Sequence, residues 1–497
     1  MKKIFFIILL VQLLLLPNAY GHGFGDRADL PVPPYLYWFG GGTAVIASFV
    51  VISLFVGRNS IRSDYGRYNL LKHSWIERIS SSRLFINLVR LPPVAILFLV
   101  IATGLFGTQF PDLNFAPTLI WIIWWVGFGF LHTLVGNIWE VINPWKTIFE
   151  WLRIGRWGTT FEYPRMLGVW PAFVLFFIFI WIELVFPSSA DPRSLALLTI
   201  GYSIIALSGM YLFGKSTWLR YGEPFSVFFR FVAMLAPTEV RVKDTELCKE
   251  CELDCKPIDG WCINCSACRE EGSKKEINLR HFTTGLLNSE GIGFDQAAFV
   301  ILMLASVSFD GLINTLLWYD VIGMDPFAGG DRQALVQINT MGLVASFLLF
   351  LGIFYSFIYL AKSASRYTGS VKHLSLLFVL SLLPIAVVYQ FAHYSTFFFI
   401  NGQQIIKLIS DPFGYQWNIF GTKDYVIFRS LNFLAVWNYQ VLVIVLGHIG
   451  AVYVAHRISL RTFESKKKAI SSQYPIMILM VTYTIVGLWL LSTPSLG

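Results

Sequence analysis

Long apolar runs alternate with short polar stretches along almost the whole chain. Ten of these runs are long enough, with tilt, to cross a bilayer core as helices: about 39 to 56, 93 to 108, 117 to 136, 169 to 187, 195 to 213, 296 to 318, 335 to 361, 373 to 399, 433 to 455 and 475 to 492. An earlier apolar run, Ile4 to Leu16, is too short to span comfortably. It follows Lys2 and Lys3 and precedes Asn18-Ala19-Tyr20-Gly21, the layout of a secretory signal. The pattern predicts an all-α integral membrane protein: a cleaved signal peptide over 1–21, then about ten transmembrane helices. Cleavage after Gly21 would make His22 the mature amino terminus, on the outer face; an uncleaved anchor is the alternative.

The polar stretches set the expected orientation. With an outside start, the alternate loops 57 to 92, 137 to 168, 214 to 295, 362 to 372 and 456 to 474 hold thirty Lys and Arg, whereas the outward segments hold six. That bias fits the positive-inside rule and a multi-pass protein of the plasma (inner) membrane. Composition agrees: 55% of the residues are hydrophobic and mean hydropathy is +0.61, above the roughly 45–50% of soluble domains. Orientation accounts for the formal net charge of +8, so no nucleic-acid partner is expected. The expected partners are the lipid bilayer and, beyond it, other membrane subunits or a small-molecule or metal substrate.

The stretch 214–295 breaks the pattern, separating a five-helix half at 22–213 from another at 296–497. Within it, Pro224 to Leu235 is apolar and aromatic and reads as an interfacial helix. Asn143 to Gly155 reads the same way, with Trp145, Ile148, Trp151 and Leu152 at helical spacing. All six cysteines of the chain fall between Cys248 and Cys268, on the side expected to be cytoplasmic, where clustered thiols are more often metal ligands than disulfides. Cys248/Cys251 and Cys262/Cys265 are two C-x2-C pairs suited to a closed tetrahedral zinc site, with Cys255 and Cys268 as further ligands. An iron–sulfur cluster is the alternative: Cys262-x2-Cys265-x2-Cys268 repeats the first three ligands of a ferredoxin run but lacks the fourth.

Ionisable residues inside spans are costly and usually mark a site or pathway. Glu183, Asp310 and His393 fall toward the outer ends of their runs, and His132 and His448 toward the inner ends. His22, through its free amine and ring, could join Asp310 and His393 in a mixed N/O site for copper or zinc. The plainer reading of each is an interhelical hydrogen bond. His132 and His448 could together ligate a b-type haem.

Several blocks resemble a family of prokaryotic multi-pass proteins often labelled fenitrothion hydrolase: His22-Gly23-Phe24-Gly25 followed by Asp29-Leu30-Pro31-Val32-Pro33, GNIWEVINPWKTIF from Gly136, YPRMLGVWPAF from Tyr163, FAHYSTFF from Phe391, SDPFGYQWNIFGT from Ser410 and GLWLLSTP from Gly487. The resemblance covers nearly the whole chain and implies attack on an organophosphorothioate triester, but no numbered catalytic motif comes with it. Two functions stand side by side. One is a metal-handling carrier or redox-linked membrane subunit; the other is a membrane-embedded, metal-dependent hydrolase of organophosphorus triesters.

Overall fold

The computed structural model describes residues 33–57, 65–157, 160–243, 245–249, 251, 253, 260–272, 274–288, 292–325, 332–428 and 432–493. The expected signal peptide, His22 and Cys255 lie outside them. Nine helices in the described residues are long and apolar enough to cross a bilayer. They are the first span Pro34–Phe55, the second Arg83–Phe106, the third Phe115–Leu134, the fifth Pro192–Phe213, the sixth Phe294–Ile313, the seventh Ala334–Ser365, the eighth Val371–Asn401, the ninth Leu434–Thr462 and the tenth Lys466–Ser492. The fourth expected span is a shorter apolar helix, Trp170–Leu184. The sixth and eighth form the centre of the bundle, each with 78% of its apolar window buried, against 17% for the second and seventh at the rim.

Two local features depart from the expected runs. The second span starts at Arg83, ten residues early, because Pro92 and Pro93 lie inside the helix rather than at its boundary. Such prolines are tolerated where neighbouring elements and local adjustment satisfy the backbone groups they free. In the third span, Thr118–Gly127 is wound with i→i+5 hydrogen bonds, a wide winding that often accompanies functional sites.

Pro224–Ala233 is not an interfacial anchor. Eight of its ten residues are buried; the two that are not among them, Ser226 and Arg230, share one face and line a polar cavity rather than a membrane surface. Phe225 packs on Trp124, Phe228 on Trp125 and Phe176, and Phe231 on Phe299. Its first turn is capped by the buried Glu223, which accepts from the backbone N–H groups of Phe225 and Ser226 and from the Tyr202 hydroxyl. The other expected anchor, now helix Pro144–Trp151, buries Trp145 and Phe149 and leaves Trp151 exposed.

After this buried helix the chain builds a small antiparallel sheet, an addition to the all-α expectation. Its strands are β1 (Tyr68–Asn69), β2 (Thr238–Val242), β3 (Cys262–Ile263) and β4 (Lys275–Leu279), in the order β1-β4-β2-β3. The register places Tyr68 opposite Leu279 and Val242 opposite Cys262. The pairing joins the loop after the first span to the segment after the fifth, so both lie on one side of the membrane. With the second, third and fifth spans crossing between them, an even count requires one further crossing, and Trp170–Leu184 is the shorter apolar helix placed to supply it. At about 1.5 Å per residue it is about 22 Å long, sufficient with its flanking turns.

Arg280 locks sheet to bundle. Its guanidinium pairs with Glu239 at 2.9 Å, both side chains almost fully buried, and also donates to the carbonyls of Ala236, Ala233 and Met234 at the end of the buried helix. Arg67 and the Tyr65 hydroxyl share the same carboxylate.

Two outcomes follow. Glu239→Ala leaves two guanidiniums buried around an empty position and should destabilise the detergent-solubilised protein by about 3–5 kcal/mol, read as a lowered unfolding midpoint; an unchanged midpoint would remove Arg280 from the lock. Side-specific reporters placed after Ser82 and at Lys275 should agree with each other and differ from one at Ser189. Disagreement between the first two would contradict the pairing of β1 with β4.

Candidate functional site

The cysteines converge from four short elements. Helix Thr245–Lys249 carries Cys248, the chain just beyond it carries Cys251, and β3 begins with Cys262. Cys265 is the cap residue of helix Ser266–Glu271, which holds Cys268. Asn264 makes the turn between Cys262 and Cys265 with a φ of 51°, a left-handed conformation that Asn tolerates better than most residues. Asn264 is pinned to β2 in both directions: its N–H donates to the Val240 carbonyl at 2.9 Å and its side chain accepts from the Val240 N–H at 2.8 Å.

The sulfurs form two groups of three. Cys248, Cys262 and Cys268 have Sγ atoms within 4.8 Å of one another, and so do Cys251, Cys265 and Cys268. The Cys251 and Cys265 sulfurs are 3.7 Å apart. Cys248, Cys262, Cys265 and Cys268 are buried and Cys251 is half-buried. Cys268, an additional ligand by spacing, is the sulfur common to both groups, because one helical turn brings it back onto the face of Cys265. The Cys265 thiol is held down to about 4, chiefly by hydrogen bonding to Cys262 and further by Cys268 and the nearby Arg220. A thiolate at neutral pH is the form that binds metal. Together these cysteines could hold a metal ion.

The cysteine segment is bolted to the bundle by charges that spacing gave no reason to connect. Glu270 meets Lys146 and Lys215, each at 2.8 Å; Lys215 also reaches Glu150 at 2.9 Å, and Arg269 reaches Glu140 at 3.0 Å. Burial pushes the Glu270 carboxyl up, but the two lysines outweigh it and hold it down to about 2. Arg220 and Arg230 line the cavity enclosed beneath the cysteine segment.

A second cluster lies inside the bundle. His393 Nε2 and Asp310 Oδ2 are 2.9 Å apart, and the Tyr394 hydroxyl donates to the same oxygen at 2.5 Å. That hydroxyl is 3.3 Å from Glu183 Oε1, which accepts from Trp125 Nε1 at 2.7 Å. The third, fourth, sixth and eighth spans thus meet at one polar point. Beside it is a cavity of about 20 Å³ lined by Trp125, Phe176, Phe228, Asp310 and Gln390 among others, room for about one water. Sequence reasoning placed Asp310, His393 and Glu183 at similar depth but missed Tyr394 and Trp125. The available sign was the adjacency of Tyr394 to His393.

The haem reading fails at His132. Its Nδ1 lies 2.6 Å from the Phe128 carbonyl and its Nε2 accepts from the Trp139 N–H at 2.8 Å, while its ring stacks on Phe229. Neither nitrogen is left for iron. His448 bonds the Ile444 carbonyl through Nδ1.

No protein-family model, curated protein or solved structure matches the chain, so the chemistry of both clusters rests on their own residues. For the docking charges, Glu270→Gln should release the Cys265–Cys268 turn from the bundle at a cost of about 1–3 kcal/mol, moderated by the partial exposure of this carboxylate. Hydrogen exchange of the amides of Ser266–Glu271 should accelerate while that of the sixth span is unchanged. Equal protection in variant and parent would assign the docking to apolar contacts.

Proposed function

We propose that this protein is a multi-pass membrane protein that handles a divalent transition metal. In this reading a thiolate zinc centre, on the side rich in Lys and Arg, holds the central segment to the bundle. Asp310 and His393, 2.9 Å apart, offer two donors of a second, N/O site for the same class of ion within the membrane, with Glu183 a third that reaches them through the Tyr394 hydroxyl and must close on the ion. The observation that carries the reading is the convergence of five described cysteines, with sulfurs as close as 3.7 Å. A tetrahedral ion with bonds of about 2.3 Å to sulfur separates its ligands by about 3.8 Å. Thiolates on different irons of a cubane stand farther apart, so the spacing favours zinc over an iron–sulfur cluster.

The intramembrane site has a matching logic. Two carboxylates balance one dication, and an imidazole adds a neutral nitrogen donor, so the loaded site carries no net charge in a medium where unbalanced charge is expensive. Without an ion, the Tyr394 hydroxyl and His393 hold the Asp310 carboxylate.

A second reading is hydrolysis of organophosphorus triesters, as the sequence resemblance implies. The Asp310–His393 pair favours it, because a carboxylate-oriented imidazole can take a proton from water. The adjoining cavity holds about one water rather than a triester, so this chemistry requires the spans around Trp125 and Phe176 to part.

Metal analysis and reconstitution separate the readings. Purified under reducing, chelator-free conditions, the protein should carry zinc, lack the visible absorption of an iron–sulfur cluster, and carry less zinc, in whole or in part, on replacement of Cys248, Cys251, Cys262 or Cys265 by Ser. Vesicles containing the parent should take up Zn²⁺ or Cu²⁺. Asp310→Asn and His393→Ala should abolish uptake while the thiolate-bound zinc remains. Metal-free parent protein would overturn the thiolate centre, and normal uptake by both variants would overturn the intramembrane site. Fenitrothion hydrolysis lost in the same two variants, without metal uptake by the parent, would establish the second reading instead.

A further inference from the structure

We propose that the cysteine segment is a binuclear centre in which the Cys268 sulfur bridges two metal ions. The inference rests on the thiolate-centre reading above and changes its stoichiometry. A single tetrahedral ion requires four sulfurs that are all mutual neighbours at about 3.8 Å. The described sulfurs are arranged differently: Cys248 and Cys262 approach Cys268 as one group of three, and Cys251 and Cys265 approach it as another. Two groups of three that share Cys268, and that also touch where Cys265 hydrogen-bonds Cys262, describe two ions with one shared ligand. Each group leaves its ion one coordination position for a further ligand.

The local architecture supports the bridging role. Cys268 is only 1% exposed and sits on a helix clamped at both neighbouring positions, Arg269 to Glu140 and Glu270 to Lys146 and Lys215. The shared vertex therefore sits on an element tied to the bundle on both sides, as suits an atom that holds two ions at a fixed distance. Gly272 lets the end of this helix close on β2, since a Cβ there would stand 2.2 Å from Val242 Cγ1. That contact sets Cys268 against the strand whose partner carries Cys262.

Charge closes in the same way. Each thiol releases its proton on binding, so five thiolates around two dications retain a single negative charge. Arg220 supplies a compensating cation at the rim of the cavity below. A single dication bound by four of these sulfurs would retain two negative charges in a largely buried setting, the fifth sulfur remaining a neutral thiol, a costlier arrangement.

The test uses the full-length protein in detergent, saturated with Zn²⁺ and then freed of loose metal. The parent should retain about two ions per chain. Cys248→Ser and Cys251→Ser should each retain about one, and Cys268→Ser should retain fewer than one. If Cys268→Ser does not accumulate, X-ray absorption of the zinc-loaded parent decides, because a bridged pair gives metal–metal scattering at about 3.5–4 Å. One ion per chain, with Cys268→Ser losing no more than Cys248→Ser, overturns the bridge but keeps the thiolate centre. The absence of metal–metal scattering does the same. No bound metal overturns both, and acid-labile sulfide would replace the thiolate bridge by a sulfide-bridged cluster.

Discussion

A polar group taken out of water must find its partner within the protein, and inside a bilayer no alternative exists. Most of this structure follows from that constraint. The buried helix Pro224–Ala233 can enter the bundle because Glu223 satisfies its first N–H groups and Arg280 its last carbonyls. Arg280 can be buried because Glu239 neutralises it, and Glu239 in turn gathers Arg67 and Tyr65 from the loop after the first span. The small sheet is thus an outcome of polar satisfaction as much as of strand propensity.

The same constraint separates the two clusters by chemistry. Beside the basic loops, thiols are held close together with Arg220 near Cys265, on a segment that Lys146 and Lys215 fasten through Glu270. Within the bundle, carboxylates meet an imidazole, a phenol and an indole, each supplying a donor. The first set suits a soft or borderline ion in a closed site, the second an ion held by nitrogen and oxygen.

Periodicity and charge made the spans legible, because each follows from local composition. Even the fourth, too short to qualify by length alone, was visible as an apolar run from 169 to 187, and the pairing of β1 with β4 supplies the reason to count it. Spacing identified the cysteines as ligand types, but it joined Cys248 with Cys251 and Cys262 with Cys265. The fold keeps Cys262 beside Cys265 and also groups Cys248 with Cys262 and Cys251 with Cys265, because the turn at Asn264 and the helix after Cys265 decide which sulfurs face one another. Illegible from sequence were partners far apart in the chain. Nothing near Glu270 announces Lys146, and nothing near Glu183 announces Tyr394. Pro224–Ala233 was misjudged for a different reason: a short apolar helix flanked by arginines has the same composition whether it lies on a membrane or inside a bundle, and only its neighbours distinguish the two.

That helix also gives the two clusters a common wall. Phe228 lines the cavity beside Asp310 and Glu183, while Ser226 and Arg230, two residues to either side, line the cavity beneath the cysteines. A ten-residue helix capped at both ends and packed on aromatic rings moves as a unit, because close-packed interiors do not deform piecemeal. Arg230 donates to the Arg220 carbonyl at 2.8 Å, so the helix that lines the intramembrane cavity is also tied to an arginine that lines the cavity beneath the cysteines. Coupling between sites requires an element that both of them bias. Pro224–Ala233 meets the spatial part of that requirement, since Phe228 borders the space at Asp310 and Arg230 borders the cavity beneath the cysteines.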